Sequence, residues 1–384
     1  MTPAAEGSDR PLRVVPADRG RARSDFLRVP WPLYANDPAW VPPLLLERRL
    51  QLSPRRPFFA HARAAFWVAY RGARPVGRIS AQVDRLHLER HRDGAGFFGL
   101  LEAEDDAEVF AALSAAAEDW LRHEGLTRVR GPFDLSINEE CGLLVDGFAT
   151  PPMIMMRHGR PYYAARLEEC RYRPVKDLLA YHLLTDAVEL PPVMRAAIAR
   201  LQDVRVRPLR RSRLREELGI LRDIFEDAWA DNWGFVPFTA AEFEELGWVL
   251  RFVVDDDYVQ IAEVGGAPAA MLVLLPNVNE MIRDLDGRLL PFGWARLLTR
   301  LLRRRARTGR VVLMGVRKRY QRTGLGLGLA CLVIDTARRA ARARGLREVE
   351  LSWILEDNLG VRRILEALGG DPYKRYRIYE KSLT

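Results

Sequence analysis

Apolar residues recur every three or four positions along SRLREELGILRDIFEDAWADN (212–232), where Leu214, Leu218, Leu221, Phe225 and Trp229 share one helical face. A second helix is predicted over TAAEFEELGWVLRFV (239–253), with Thr239 in the N-cap position. YVQIAEVGGAPAAMLVLLP (258–276) reads as two strands turning at Gly265-Gly266, and VVLMGV (311–316) as a further strand. LGLGLACLVIDTARRAARARG (325–345) is a long helix stopped by Gly345. A strand at EVELSWIL (348–355), a helix at NLGVRRILEALGG (358–370) and a closing strand at YRIYEKSL (376–383) complete the series, which begins with a strand at VRVRPL (204–209).

The first half repeats this order. LRVVP (12–16) is a strand, SDFLRVPWPLYAND (24–37) and VPPLLLERRLQL (41–52) are helical, and AAFWVAYRGARPVGRISAQVD (64–84) is a strand pair. A strand at GFFGLLEA (96–103), a helix at 106–125, then strand, helix and strand at 127–133, 162–172 and 176–184 follow. β-α-α-β-β-β-α-β-α-β therefore occurs twice. "NDPAWVPP" (36–43) and "DNWGFVPF" (231–238) echo each other between the first two helices of each half. The shared order favours duplication over two unrelated α/β domains. The expected organisation is a mixed-sheet α/β protein with domains at 12–184 and 204–384, joined by a connector at 185–203 that holds Pro191-Pro192 and a short helix.

Length and composition bound the function. The 384 residues are enough for two cored domains. A net charge of +9 makes acidic partners plausible, yet only four of the 60 basic residues are lysines and the arginines spread through most helices. A nucleic-acid partner is therefore not expected; the densest run, LLRRRARTGR (301–310), reads as a solvated helix face and loop. Three separated cysteines give neither a disulfide framework nor a zinc site, so no metal is expected. MTPAAEGSDRPLRVV lacks the apolar core of a signal peptide, and no window approaches the roughly 18 apolar residues of a membrane span. These readings predict a cytoplasmic protein without a membrane partner.

The chemistry concentrates at QRTGLGLGLA (321–330). Gly324, Gly326 and Gly328 place the third glycine one position early for a dinucleotide fingerprint, and no Gly-Lys supports a Walker loop. Gln321, Arg322, Thr323, Gly324, Leu325 and Gly326 instead fit Q-x-x-G-x-G between a strand and a helix. Unpaired N–H groups at a helix start converge on an anion, and the helix dipole favours it. Gly324 and Gly326 carry no Cβ to keep a pyrophosphate from the backbone, while Gly328 is expected to let the helix pack on the sheet. Arg317, Lys318, Arg319 and Arg322 add positive charge. A loop that merely packs tightly is the competing reading.

Residues 204–384 resemble the GNAT superfamily of acyl-CoA-dependent N-acetyltransferases, on the strand, the Q-x-x-G-x-G loop, Asn358 and the closing helix with Gly369. The resemblance implies a mostly antiparallel sheet with a splayed central strand pair. It assigns pantetheine pairing to Met314, Gly315 and Val316, pyrophosphate binding to Gln321 through Gly326, and a further cofactor contact to Asn358. Acetyl-CoA or another acyl-CoA is the implied co-substrate. The first half looks like a degenerate copy, because Glu102, Glu104, Asp105 and Asp106 stand where the glycines belong. Tandem members with one active half are known.

The implied reaction is acyl transfer to a small amine or amino-acid-like acceptor by direct attack on the thioester, with a Gly315 or Val316 N–H polarising its carbonyl. Glu280 is the candidate base, with Asp284 second. Where many members carry a tyrosine acid, this chain has Leu365, so Tyr379, or else Tyr373 or Tyr376, is the candidate acid. Asn138, Glu139 and Glu140 in "SINEEC", with Trp229, Trp233 and Phe238, are the acceptor-binding candidates. A non-catalytic CoA-binding protein is the alternative.

Overall fold

The computed structural model describes residues 10–186, 190–303 and 306–384, without the side chains of 248–253. Residues 1–9, part of the connector and Arg304-Arg305 of the basic run lie outside the described residues. The chain forms two compact units, Met1–Asp177 with Tyr376–Thr384, and Leu178–Arg375.

The first unit begins with β1 (Leu12–Pro16), the helices α1 (Gly20–Arg28), α2 (Pro30–Leu33) and α3 (Leu45–Gln51), and the hairpin β2 (Ala62–Arg71) and β3 (Arg74–Asp84). It continues through α4 (Arg85–His91), β4 (Ala95–Ala103), α5 (Ala107–His123), β5 (Arg128–Gly131), β6 (Leu143–Asp146), α6 (Tyr163–Glu169) and the start of β7 (Arg173–Leu184). β1 to β4 pair antiparallel in sequence order, and β4 and β5 pair parallel. Alternation along β2 and β3 sends Ala69, Ile79 and Ala81 under α5, where Phe110, Leu113, Ala117 and Leu121 are fully buried. Each such large side chain contributes roughly 1.5–3 kcal/mol. The opposite face packs Phe26, Phe58, Phe66 and Val68 beneath α1 and α3.

The second unit holds α7 (Pro192–Ala199), β8 (Val204–Pro208), α8 (Leu214–Trp229), α9 (Ala240–Val253), the hairpin β9 (Val259–Val264) and β10 (Ala267–Pro276), α10 (Asn279–Ile282) and α11 (Gly293–Leu302). β11 (Thr308–Val316), α12 (Gly324–Ala343), β12 (Glu348–Leu355), α13 (Leu359–Ala367) and the first part of β13 (Asp371–Ser382) complete it. Its pairing repeats that of the first: antiparallel from β8 to β11, then parallel between β11 and β12. Thr239 caps α9 as expected, its hydroxyl accepting from Glu242 N at 3.2 Å while Glu242 Oε2 accepts from Thr239 N at 2.8 Å. Gly328 departs from expectation. A Cβ there would sit 2.6 Å from Leu201 Cδ2 and 2.9 Å from Ala197 O, so it lets α12 close on α7 rather than on the sheet.

The closing strands depart from chain order. Leu178–Leu184 of β7 pairs with β12 in the second unit, and Tyr379–Ser382 of β13 pairs with β5 in the first. Both segments read as strands in the sequence, but neither carries a pattern that says which sheet edge it joins. The division at 184 and 204 thus falls inside the second compact unit, and the last nine residues belong to the first.

Candidate functional site

In the second unit β11 and β12 stay paired only from Thr308↔Glu348 to Val311↔Leu351. Beyond that, β11 keeps to β10 as far as Val316 and β12 keeps to β7 as far as Leu355, so the two strands diverge into a V. A bulge displaces the β10–β11 register between Leu274↔Val311 and Val273↔Leu313. Arg317 N donates to Ala269 O of β10 at 2.9 Å. Alternation then turns the peptide groups of Gly315 toward β10, and those of Met314 and Val316 into the V. Two of the V-facing carbonyls are taken: Trp229 Nε1 donates to Met314 O at 2.8 Å and Gln321 Nε2 to Val316 O at 2.8 Å. The N–H groups of Met314 and Val316 remain directed into the V, and Gly315 is withdrawn from the polarising role expected of it. Its missing Cβ serves packing, since a methyl group there would lie 2.9 Å from Ala228 Cβ on α8.

The Q-x-x-G-x-G loop leads from the open end of the V into α12. Thr323 is the N-cap, accepting from Gly326 N at 3.1 Å and donating to Tyr320 O at 2.6 Å. First-turn geometry leaves the N–H groups of Gly324 and Leu325 without helical acceptors. Gly324 faces open space, with nothing within 4 Å of a Cβ placed there. Gly326 does not: its Cβ would sit 2.1 Å from Tyr320 O, so this glycine closes the loop on itself. The Gln321 amide also reaches Ala228 O at 3.1 Å, tying the loop to the end of α8. Arg317 pairs with Asp223 of α8, and Lys318 Nζ pairs at 2.7 Å with Asp231, two residues past the end of that helix. Arg319 lies over the Tyr320 ring and Arg322 is exposed. Asn358 caps α13 through Oδ1, which accepts from Val361 N at 3.3 Å, leaving its Nδ2 as a donor.

The apex of the V carries a polar cluster of which sequence reasoning offered only Tyr373. Arg310, Glu350 and Ser352 are at most 5% exposed and lie on the α8 face of the strands. Arg310 Nε donates to Ser352 Oγ at 2.7 Å, Ser352 Oγ donates to Glu350 Oε1 at 2.6 Å, and Tyr373 OH donates to Glu350 Oε2. The Arg310 guanidinium stacks 4.5 Å above the Trp353 ring, whose buried Nε1 has no hydrogen-bond partner. Lys374 is 1% exposed; burial, partly opposed by Glu350, lowers its amine from 10.5 to about 8. A carboxylate bonded to a phenol and a hydroxyl is equipped to take up and return a proton. On the other face Leu183, Leu272, Leu274, Val311, Ile334 and Leu351 line an apolar pocket.

Other candidates lie elsewhere. Glu280 accepts from Arg307 N and Thr308 N, both at 2.9 Å, and so fastens the beginning of β11. That is eight residues, roughly 26 Å along the strand, from Val316. Asp284 is held by Arg300 at 2.7 Å. Tyr379 is a fully buried core residue of the first unit, its hydroxyl 3.2 Å from Glu168 and raised to about 12 chiefly by burial. Leu365 is buried in α13, and Tyr373 is the phenol that reaches the V apex. Trp233 follows α8 in the chain, and Phe225 of that helix meets the rings of Trp229, Phe235 and Phe238.

Asn138, Glu139 and Glu140 belong to the first unit, which fills its own V. There β4 and β5 pair only through Phe97↔Arg130. Phe133 N then donates to Phe98 O at 2.7 Å, and Asp134 Oδ1 accepts from Leu100 N at 2.7 Å, so residues 133–134 occupy the free edge of β4. Gly99 makes room, because its Cβ would overlap Phe133 O. Arg157 locks Asp134 at 2.5 Å. Glu139 and Glu140 are bound by Arg56 at 2.8 Å and Arg48 at 2.5 Å, and burial raises both carboxyls. At the start of α5, Asp106 accepts from Glu108 N at 2.9 Å and Arg71 covers it at 2.6 Å, so the protein's own carboxylate sits in the anion position.

A splayed parallel strand pair that recurs in both units, with a glycine loop at a helix N-terminus in the second, defines a tandem GNAT fold. A tandem GNAT protein from the clavulanic acid biosynthesis pathway superposes with a TM-score of 0.59 at 15% identity, over 97% of this chain and 99% of its own. The chain belongs to the family of the bacterial ceramide synthase of Caulobacter vibrioides, to which it is 43% identical over 98% of its length and 99% of the relative's. Protein YghO of Escherichia coli is 46% identical over 93% of this chain and 92% of its own. No protein-family model matches the chain.

Proposed function

We propose that the second unit transfers a long acyl chain from acyl-CoA to the amine of a long-chain amino alcohol, forming a ceramide-type amide. The near full-length likeness to a relative named as a ceramide synthase carries this reading. The aliphatic pocket at the V apex supports a fatty acyl group in place of the acetyl group first expected, and a lipid amine in place of an amino-acid-like one. Acyl-CoA supplies the activated thioester. Gly324 N, Leu325 N, Arg319 and Arg322 hold its pyrophosphate, Asn358 Nδ2 contacts its arm, and Met314 N–H or Val316 N–H receives the carbonyl oxygen as charge develops there.

The amine attacks the thioester carbon, a C–N bond forms, and the C–S bond breaks as the oxyanion collapses. The ammonium proton passes toward Glu350, directly or through Ser352, and Tyr373 returns a proton to the departing thiolate. In this reading the first unit binds no CoA and acts as a degenerate copy.

Purified protein incubated with long-chain acyl-CoA or acetyl-CoA, and with a long-chain amino alcohol or polar amines, is analysed by mass spectrometry with parallel thiol release. A long-chain amide with equimolar CoA is expected. Turnover only with acetyl-CoA and a polar amine would replace the lipid assignment. CoA binding without turnover on any amine would return the chain to the non-catalytic alternative.

A further inference from the structure

Helix α11 is built the wrong way round for a protein surface in water. At 100° per residue Trp294, Leu297, Leu298, Leu301 and Leu302 share an arc of about 140°, with Arg296, Arg300 and Arg303 on the rest of the helix. An amphipathic surface helix normally turns such an arc to the core. Here none of the helix residues is buried, and Trp294, Leu298 and Leu302 are 53%, 48% and 75% exposed. The preceding turn adds Leu290 and Phe292, at 79% and 71%. The polar side holds the helix down: Arg300 donates to Met281 O at 2.5 Å and pairs with Asp284.

Five large apolar side chains on one ten-residue helix and its entry turn exceed the scattered exposure normal for a soluble surface. The charge around them is of one sign. From Gly287 to Arg307 there are seven arginines and no carboxylate, and Arg288, Arg296 and Arg303 are exposed. The carboxylates beside this stretch are already engaged: Asp284 is bound to Arg300, Asp286 is 3.8 Å from Arg288, and Glu280 accepts from Arg307 N and Thr308 N.

We infer that α11 and the turn at Leu290–Phe292 form an interfacial anchor that lies on an anionic lipid bilayer. Tryptophan, phenylalanine and leucine enter the headgroup–acyl boundary, and the arginines meet lipid phosphates. A second copy of the chain is the poorer occupant, because apposing the same face twice would bring two arginine rims together. A helix of ten residues lies on a membrane and does not cross it; among the described residues no helix is long and apolar enough to cross. The inference revises the expectation of no membrane partner and does not depend on the acceptor's identity.

The full chain is sedimented with vesicles of phosphatidylcholine alone, or of phosphatidylcholine with phosphatidylglycerol, at low and high salt. Stronger partition onto the anionic vesicles is expected, weakening with salt. Trp294→Ser with Leu298→Ser should lower it about tenfold or more at an unchanged melting temperature, since both side chains lose apolar area that the bilayer would cover. Arg296→Gln with Arg303→Gln should remove the preference for anionic lipid. Brominated lipid should quench fluorescence in the wild type and less in Trp294→Phe. Vesicle binding unchanged by the serine pair overturns the inference. So does a wild-type chain that ignores vesicles but forms a reversible dimer that the serine pair abolishes. The readout is binding rather than turnover, so its failure leaves the acyl-transfer proposal standing.

Discussion

Placing a carboxylate at Gly324 should abolish CoA binding and leave the fold intact. Nothing lies within 4 Å of a Cβ at this position, and its backbone is outside the left-handed region, so Gly324→Glu fits without strain. Glutamate in the first turn of a helix is favoured by the dipole, by about 0.3–1 kcal/mol. Toward a pyrophosphate held by the N–H groups of Gly324 and Leu325 the same carboxylate acts as a like charge. At about 4 Å and an effective dielectric near 20, the repulsion is roughly 4 kcal/mol per charge pair, or about a thousandfold in Kd. Isothermal calorimetry with CoA measures it, Gly324→Ala serves as the steric control, and thermal unfolding reports the fold. Gly326 is the wrong residue for this test, since its Cβ would collide with Tyr320 O and disrupt the loop whether or not a ligand binds there. CoA affinity within a few-fold of wild type in a folded Gly324→Glu protein would refute the anion-site assignment.

Tyr373→Phe removes the hydroxyl bonded to Glu350 and should lower kcat by about 10²–10⁴ while sparing CoA affinity, with a changed pH–rate profile separating proton transfer from simple packing. Lys374 is lowered from 10.5 to about 8 in the folded protein, so between these values the unfolded chain holds more protons and folding stability rises with pH. The rise approaches roughly 3 kcal/mol, and urea midpoints from pH 7.5 to 10.5 should show it in wild type and lose it in Lys374→Met. A flat difference profile would contradict the buried amine. Arg157→Met leaves Asp134 uncompensated in a buried pair, each partner 4% exposed, and should cost about 3–5 kcal/mol in urea unfolding of the first unit; a loss below about 1 kcal/mol would remove Arg157 as the lock on that segment.

What the sequence made legible was local. The glycine loop and α12 could be read because Thr323, the glycines and the 3.6-residue period lie in one continuous stretch. β11 could be read from its short apolar run VVLMGV, and β12 from EVELSWIL. The strand exchange could not, since nothing within KDLLAYHLL or YRIYEKSL distinguishes one sheet edge from another; Tyr379 was misplaced for that reason. Arg310, Glu350 and Tyr373 come from three strands, and Glu348, Glu350 and Ser352 look like the solvent face of an alternating strand. Glu280 appeared close to the cleft because it follows β10, but β10 ends beside the start of β11. In the first unit the acidic run is legible, yet the plug of residues 133–134 rests on the Phe133–Phe98 backbone bond and on Asp134, whose partners Leu100 and Arg157 are distant in sequence. Helix α11 was not read as an element: only Leu301 and Leu302 fall within the basic run at 301–310, and its exposed Trp294 and Leu298 precede that run.

Hydrogen–deuterium exchange of the full chain, with and without a non-hydrolysable thioether analogue of a long-chain acyl-CoA, tests the division of labour between the two units most directly. Slowed exchange should cover residues 312–327, including the V-facing N–H groups of Met314 and Val316 and the first turn of α12, while residues 97–109 keep their rates. Protection at 97–109, or a folded protein that binds the analogue without protection at 312–327, would contradict the account.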